Sequence, residues 1–403
     1  MADKDVVITG YGLLSAHGET PDAWWPALND PAAIDARIDR QTCAPFPFYP
    51  VAPHDIARQV PKPGDQRAMG PLMLYGCYAA GAALEMAGIK GNEELLLRTH
   101  LVAASGGGER DWELDRKIIE QLIVATDRQA VLNQQLADGL RPTLFLAQLP
   151  NLFAGNISLV HGVSGSSRTF MGEEAAGVDA LRIGFERIKA GQGDLFLIGA
   201  AYNAARPDMM WLFNAGDLPL RGEVTNLWRR PPAGIAFGSA GAFLVVESRA
   251  HAEKRGAAPL ARLRAVKSGR SRRGTGGATA IAAGQWQEIG PQTGDGLAVL
   301  SGACGAGGIT AEERLFLERT VQAERGAPVR GTARAFGHSL EATLLLNLIV
   351  GLSCLQKGEM FAALSPEEPL EQRAAAAPIR QILATSWGCL VGEGMALMES
   401  IDV

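Results

Sequence analysis

The stretch TFMGEEAAGVDALRIGF at 169–185 reads as a buried apolar strand, a glycine turn and the start of a helix. Many enzymes keep a nucleophile at such a strand-to-helix elbow. The first turn of a helix offers free N–H donors and a partial positive charge. A cysteine there has a lowered pKa and attacks acyl carbonyls readily. This elbow instead carries two carboxylates, Glu173 and Glu174, and no cysteine. The helix N-terminus stabilises a carboxylate by roughly 0.3–1 kcal/mol, and Glu173 needs no further explanation than that. The five cysteines, Cys43, Cys77, Cys304, Cys354 and Cys389, are scattered and odd in number. With no CxxC and no His/Cys ligand spacing, they predict neither a disulfide framework nor a metal centre.

The elements that must position this elbow alternate along the chain. Strands are expected at 5–12, 99–108, 168–173, 194–201 and 240–248, each apolar on both faces and closed by Gly or Ser. Helices are expected at 70–87 and 174–190, the second with Ala175, Val178, Leu181, Ile183, Phe185 and Ile188 on an apolar face. A second set of strands follows at 259–268, 296–305, 329–337, 381–389 and 394–400, with helices at 311–322 and 339–358. The chain thus reads as two similar halves, 1–250 and 251–403, in a layered α/β fold. The segment 109–150, largely helical in composition, interrupts the first half and is expected to lie over the sheet or at a partner surface.

Composition narrows the class. The 403 residues are 47% hydrophobic and 20% charged, an ordinary globular mix. A formal net charge of −5 gives nucleic acid no general electrostatic attraction. The one basic run, Lys267 to Arg273, stands among Gly and Ser and reads as a solvated loop. No apolar stretch reads as membrane-spanning. The opening residues MADKDVVITGYG pass straight into a strand-like run, so no signal peptide is expected and a cytoplasmic location is.

Four motifs in register resemble the β-ketoacyl-ACP synthases of fatty acid and polyketide synthesis. NLFAGNISLVHGVSG at 151–165 leads into the elbow. AGIAFGSAGAFLVVESRAHAEKRGA at 233–257 resembles their glycine-rich strand and following helix. FGHSLEAT at 336–343 resembles their GH-x-x-x-A helix start, and TSWGCLVGEG at 385–394 their C-terminal Ser-Phe-Gly-Phe-Gly-Gly turn. The resemblance implies a thiolase fold, with duplicated halves in five α-β-α-β-α layers, working as a dimer. It implies no cofactor and no metal.

Members of that family use an elbow cysteine to hold the acyl chain, and two histidines to assist decarboxylation of malonyl-ACP and stabilise the enolate. Carried onto this chain, the nucleophile position falls on Glu174 and the first histidine position on Cys304. The second histidine is retained as His338. A lysine position falls on Ala333, beside Arg334. The aromatic gate falls on Cys389, followed by Leu390 and Val391. The GEEAAGVDAL elbow is most similar to that of chain length factors, the nucleophile-lacking partners of type II polyketide ketosynthases, although these usually carry glutamine where Glu174 stands. The resemblance therefore implies no catalysis by this chain alone. It implies a heterodimer with a catalytic ketosynthase, and an acyl carrier protein that delivers the chain. Trp112, Phe170 and Met171 are its tunnel or interface candidates. The alternatives are a malonyl-ACP decarboxylase acting through Glu174, a synthase with Cys304 as displaced nucleophile and His338 as base, and a homodimeric acyl-chain binding protein.

Overall fold

The alternating runs build one mixed sheet of ten strands in the computed structural model, which describes residues 4–140, 146–274, 276–290 and 296–401. The strands are β1 (Val6–Leu14), β2 (His100–Ser105), β3 (Ser167–Met171), β4 (Leu195–Tyr202), β5 (Ala240–Ser248), β6 (Ala261–Gly269), β7 (Leu297–Ser301), β8 (Val329–Gly331), β9 (Gln381–Trp387) and β10 (Glu393–Glu399). The first five lie in the order β1-β5-β4-β2-β3, the last five in the order β6-β10-β9-β7-β8. Each place in one set is taken in the other by the strand five later. Pairing sense repeats as well: β1–β5 and β5–β4 are antiparallel, as are β6–β10 and β10–β9, and the remaining pairs are parallel. The sets join where β1 lies antiparallel to β6, with Val7 opposite Arg262 and Ile8 opposite Ala261.

Strands β4, β5, β9 and β10 are buried along their whole length. Their near-continuous apolar sequences are what a sheet covered on both faces requires. The helices are α1 (Pro71–Met86), α2 (Trp112–Val124), α3 (Arg128–Gly139), α4 (Leu152–His161), α5 (Glu174–Lys189), α6 (Pro207–Ala215), α7 (Gly277–Ile289), α8 (Gly307–Phe316) and α9 (Thr343–Lys357), and α1, α4, α5, α7, α8 and α9 pack on the sheet. Helix α1 packs on β1, β4 and β5, and α4 packs on α1. Helix α7 packs on β6 and β10, and α8 on α7. Between them, α5 and α9 pack on each other and touch strands of both sets. This is the helix–sheet–helix–sheet–helix layering of the thiolase fold.

Four expectations need correction. The strand before the elbow is not buried: β3 is the outermost strand, bonded only to β2, and its residues are exposed or half-exposed. Its apolar Phe170 and Met171 gave the impression of a core strand. The stretch 329–337 is a strand only over Val329–Gly331, then turns into a short helix, Ala333–Phe336. The run Leu340–Lys357 is long and apolar enough to cross a membrane by length and composition, contrary to the sequence reading, but 89% of it is buried as a core helix. The basic run is not uniformly solvated. Lys267 pairs with Glu288 and Arg270 with Asp179, while Arg273 is largely buried.

A glycine sets how closely α5 approaches its neighbours. A Cβ on Gly177 would lie 1.9 Å from the backbone oxygen of Glu341. Alanine favours a helix over glycine by about 0.5–1 kcal/mol, but a backbone oxygen cannot swing aside. The clash wins, and Gly177→Ala is expected to destabilise the fold by about 1–3 kcal/mol, read as a lower urea midpoint. An unchanged or raised midpoint would show that α5 is free to slide outward.

Candidate functional site

Glu174 is the first residue of α5, placed there by the turn at Gly172 and by the close approach at Gly177. His338 is fixed by the chain on either side. Gly337 has φ +72, and a Cβ on it would lie 2.6 Å from Phe237 O. The His338 N–H donates to Ala236 O at 2.8 Å, and its carbonyl accepts from Gly238 N at 2.9 Å. Cys389 sits in the turn that leaves β9, closed by Gly388 N donating to Gly392 O at 2.9 Å. Arg273 holds this turn from outside, donating to Gly388 O at 2.6 and 3.0 Å and to Gly392 O at 3.0 Å, and pairing with Glu393.

These three elements meet at one atom. His338 Nε2–H donates to Glu174 Oε1 at 2.6 Å, and the Cys389 backbone N–H donates to the same oxygen at 3.0 Å. Neither side chain reaches solvent: Glu174 is 1% exposed and His338 0%. Burial alone would raise the Glu174 pKa. The hydrogen bond and charge of His338, with the backbone N–H groups of Glu174 and Cys389, overcome this and hold the carboxyl below its ordinary value. Glu173, half-buried, is raised by burial and by the neighbouring Glu174 carboxylate.

Cys304 lies in the loop after β7, beside Thr310, with its sulfur accepting from Ala306 N at 3.4 Å. Burial, reinforced by the Glu174 carboxylate, pushes its thiol up to about 12. The Cys389 thiol is raised further, by burial and then by Glu174 and Cys304. The fold therefore brings Glu174, His338, Cys304 and Cys389 together. Ala333 is buried at the start of its short helix and offers no polar side chain. The adjacent Arg334 is committed to Asp35 at 2.8 Å.

Other residues of the site had no signal in the sequence. Glu313 reads as an exposed helical acid, yet it is fully buried, accepting from Ser301 Oγ at 2.7 Å and Thr385 Oγ1 at 2.6 Å. Burial pushes it up to about 7, against those hydroxyl bonds and Arg273. Arg230 is buried with carbonyl partners, Gly234 O at 2.9 Å and Thr225 O, and burial lowers it to about 10.

Beside the elbow lies a cavity of about 350 Å³, walled by Met171, Tyr202, Met209, Phe213 and Leu390, with Glu173, Arg206 and Glu341 also on its lining. Gly106 and Gly107 of the GGG loop border it. Trp112 does not line this space. It borders a neighbouring cavity of about 490 Å³ with Phe46, Pro207, Trp211 and Arg221, and helix α6 contributes to both. Phe170 packs half-buried against the main core, and Met171 is 64% exposed. Among the described residues no group of three or more His, Cys, Asp or Glu side chains is placed to hold a metal ion.

Residues 3–252 match the family model described as "Beta-ketoacyl synthase, N-terminal domain". The chain belongs to the β-ketoacyl synthase family. Among its curated relatives, 3-oxoacyl-(acyl-carrier-protein) synthase 2 of Vibrio cholerae is 26% identical over 264 residues, which are 64% of this chain and 61% of that protein. The oxytetracycline polyketide putative beta-ketoacyl synthase 1 of Streptomyces rimosus is 26% identical over 273 residues, again 64% and 61%. The chain thus spans about three-fifths of the length of the curated relatives it matches. Solved structures extend the likeness of fold to the whole chain. The ishigamide ketosynthase/chain length factor superposes with a TM-score of 0.79 at 19% identity, covering 99% of this chain and 100% of that one. A β-ketoacyl synthase from Burkholderia phymatum gives 0.78 at 18% identity over the same shares.

Proposed function

We propose that this chain is a non-catalytic chain length factor. It pairs with a catalytic ketosynthase and shapes the tunnel in which a polyketide or polyene chain grows, while malonyl units on an acyl carrier protein are condensed with loss of carbon dioxide. The observation that carries this reading is the bonding at Glu174 Oε1. Two donors aimed into the site, the His338 Nε2–H and the Cys389 N–H, are both used by that one oxygen. Acyl-transfer catalysis needs such donors free for the oxygen that gains charge in the transition state. Here a fixed carboxylate already holds them. Nor does Glu174 replace a cysteine, since its attack on a thioester gives a mixed anhydride, which lies uphill and hydrolyses readily.

The same bonds weigh against a decarboxylase, because Cys304 replaces one histidine and His338 is occupied. Cys304 as a displaced nucleophile has against it complete burial and a thiol pushed up to about 12, since the thiolate is the attacking species. The exposed outer strand β3, and separately the exposed Ile119, Ile123 and Val124 on α2, support an obligate partner.

Intact-mass analysis of the chain incubated with acyl-ACP is expected to find no acyl adduct, and co-expression with a ketosynthase a one-to-one complex by mass photometry. A stoichiometric adduct lost on Cys304→Ala would establish the displaced-nucleophile enzyme instead. A well-behaved monomer indifferent to every ketosynthase would remove the partner reading.

A further inference from the structure

The cavity beside the elbow contains a carboxyl that the tunnel reading leaves unexplained. Glu341 is 2% exposed, lines the cavity, and its Oε2 has no hydrogen-bond partner. It is held in place from two sides. A Cβ on Gly106 would come within 2.8 Å of Oε1, so only glycine leaves room for the carboxyl there, and the Glu341 backbone oxygen abuts Gly177 of α5. Its neighbour Leu340 stands at φ +40, in the left-handed region that non-glycine residues seldom adopt. The backbone thus turns sharply just before this side chain.

The charges around it decide its state. Arg206, the cation on the lining, is engaged elsewhere: it pairs with Asp208 at 2.6 Å and donates to Gly107 O at 2.8 Å and Gly108 O at 2.9 Å. Glu173 lines the same cavity and Glu174 stands at the same elbow, so two further carboxylates oppose a third negative charge. Burial pushes the Glu341 carboxyl well above its usual range, against its own backbone N–H. Glu174 and Glu173 add to this, and Arg206 opposes it. A buried carboxylic acid that keeps its proton becomes a hydrogen-bond donor. An unpaired buried donor discriminates between a ligand that has an acceptor and one that lacks it.

We propose that Glu341, carrying its proton, is the residue by which this cavity selects an uncharged acyl chain bearing a keto group in addition to its thioester carbonyl. The carboxylic O–H donates to that keto oxygen, while Met209, Phe213 and Leu390 take the hydrocarbon. This rests on the tunnel reading and adds a chemical criterion to it: the wall reads oxidation level as well as length. A chain ending in a free carboxylate is excluded by Glu173 and Glu174.

The test uses two thioesters of N-acetylcysteamine, 3-oxododecanoyl and dodecanoyl, titrated calorimetrically into the full chain, purified with its ketosynthase where it does not stand alone. Wild type is expected to prefer the 3-oxo probe about tenfold, the effect of one good hydrogen bond to a buried donor. Glu341→Gln, whose amide also donates, is expected to keep the preference. Glu341→Leu is expected to bind both probes equally. Equal binding by wild type, or a preference that survives in Glu341→Leu, overturns the role of Glu341. Failure of wild type to bind either probe overturns the cavity as an acyl site. Neither result touches association with a ketosynthase, on which the tunnel reading stands or falls separately. The wild-type comparison needs no variant to fold.

Discussion

Restoring a thiol at the elbow with Glu174→Cys is expected to leave condensation at least about 10⁴-fold below that of the native complex. A cysteine at the start of α5 would stand at a helix N-terminus, which favours its thiolate. It would also free the His338 and Cys389 donors. The remaining machinery is still missing. On the proposed assignment of positions, Cys304 offers a protonated, buried thiol in place of a histidine, and Ala333 offers nothing in place of a lysine. Each missing donor to a developing charge costs about 10²–10³ in rate, and two act at the same enolate. The measurement pairs the Glu174→Cys chain with a ketosynthase whose own cysteine is changed to alanine, supplies primed ACP and malonyl-ACP, and reads products by mass spectrometry. Extension at even a tenth of the native rate would mean that the site is one substitution from competence.

Removing the carboxylate altogether is expected to cost stability. Glu174→Leu leaves the His338 Nε2–H and the Cys389 N–H buried without their acceptor, and breaking a buried pair from one side typically costs about 3–5 kcal/mol. Glu174→Gln retains an acceptor oxygen for both donors and is expected to lose only about 1 kcal/mol. Because the folded-state pKa of Glu174 lies below its ordinary value near 4.5, the contribution of the ionised carboxylate is complete above that value. It is lost as pH falls further, through the folded pKa. The gap between wild type and Glu174→Gln should therefore be constant from pH 7 to pH 5 and shrink at lower pH. Denaturant midpoints across that range measure it. A gap that narrows already between pH 7 and pH 6 would show that the pair is not held by an ionised Glu174.

Much of the architecture was legible because it rests on local pattern. The apolar runs that became β4, β5, β9 and β10 are buried on both faces, and such strands carry their burial in their composition. The convergence of Glu174, Cys304, His338 and Cys389 was legible through motif order. What escaped depends on contacts between distant residues. Motif order puts His338 in the same site as Glu174, 164 positions away, but says nothing of the hydrogen bond that makes the burial of the carboxylate tolerable. Glu313 and Glu341 look like helical surface acids until tertiary packing encloses them. Arg273 lies in a run of basic residues whose composition describes a loop, yet its guanidinium fastens a turn more than a hundred residues further on. Strand β3 ends in the apolar pair Phe170 and Met171 but begins with Ser167, Arg168 and Thr169, and the sheet order places it at the edge. Trp112 follows the GGG loop closely, but its ring faces the far side of α6.

The carboxylate at the start of α5 also behaves as a ligand that never leaves. Any thioester oxygen seeking the His338 and Cys389 donors meets a competitor tethered to the backbone and already bonded to both. That competitor carries a full negative charge and has lost its translational freedom already, on folding. An acyl group arriving by diffusion must supply that entropy itself and offers only a partial charge. On the proposed reading, the pocket is in this sense inhibited by its own side chain. Raising the concentration of acyl carrier protein does not lift an inhibition of that kind; a change of residue 174 does.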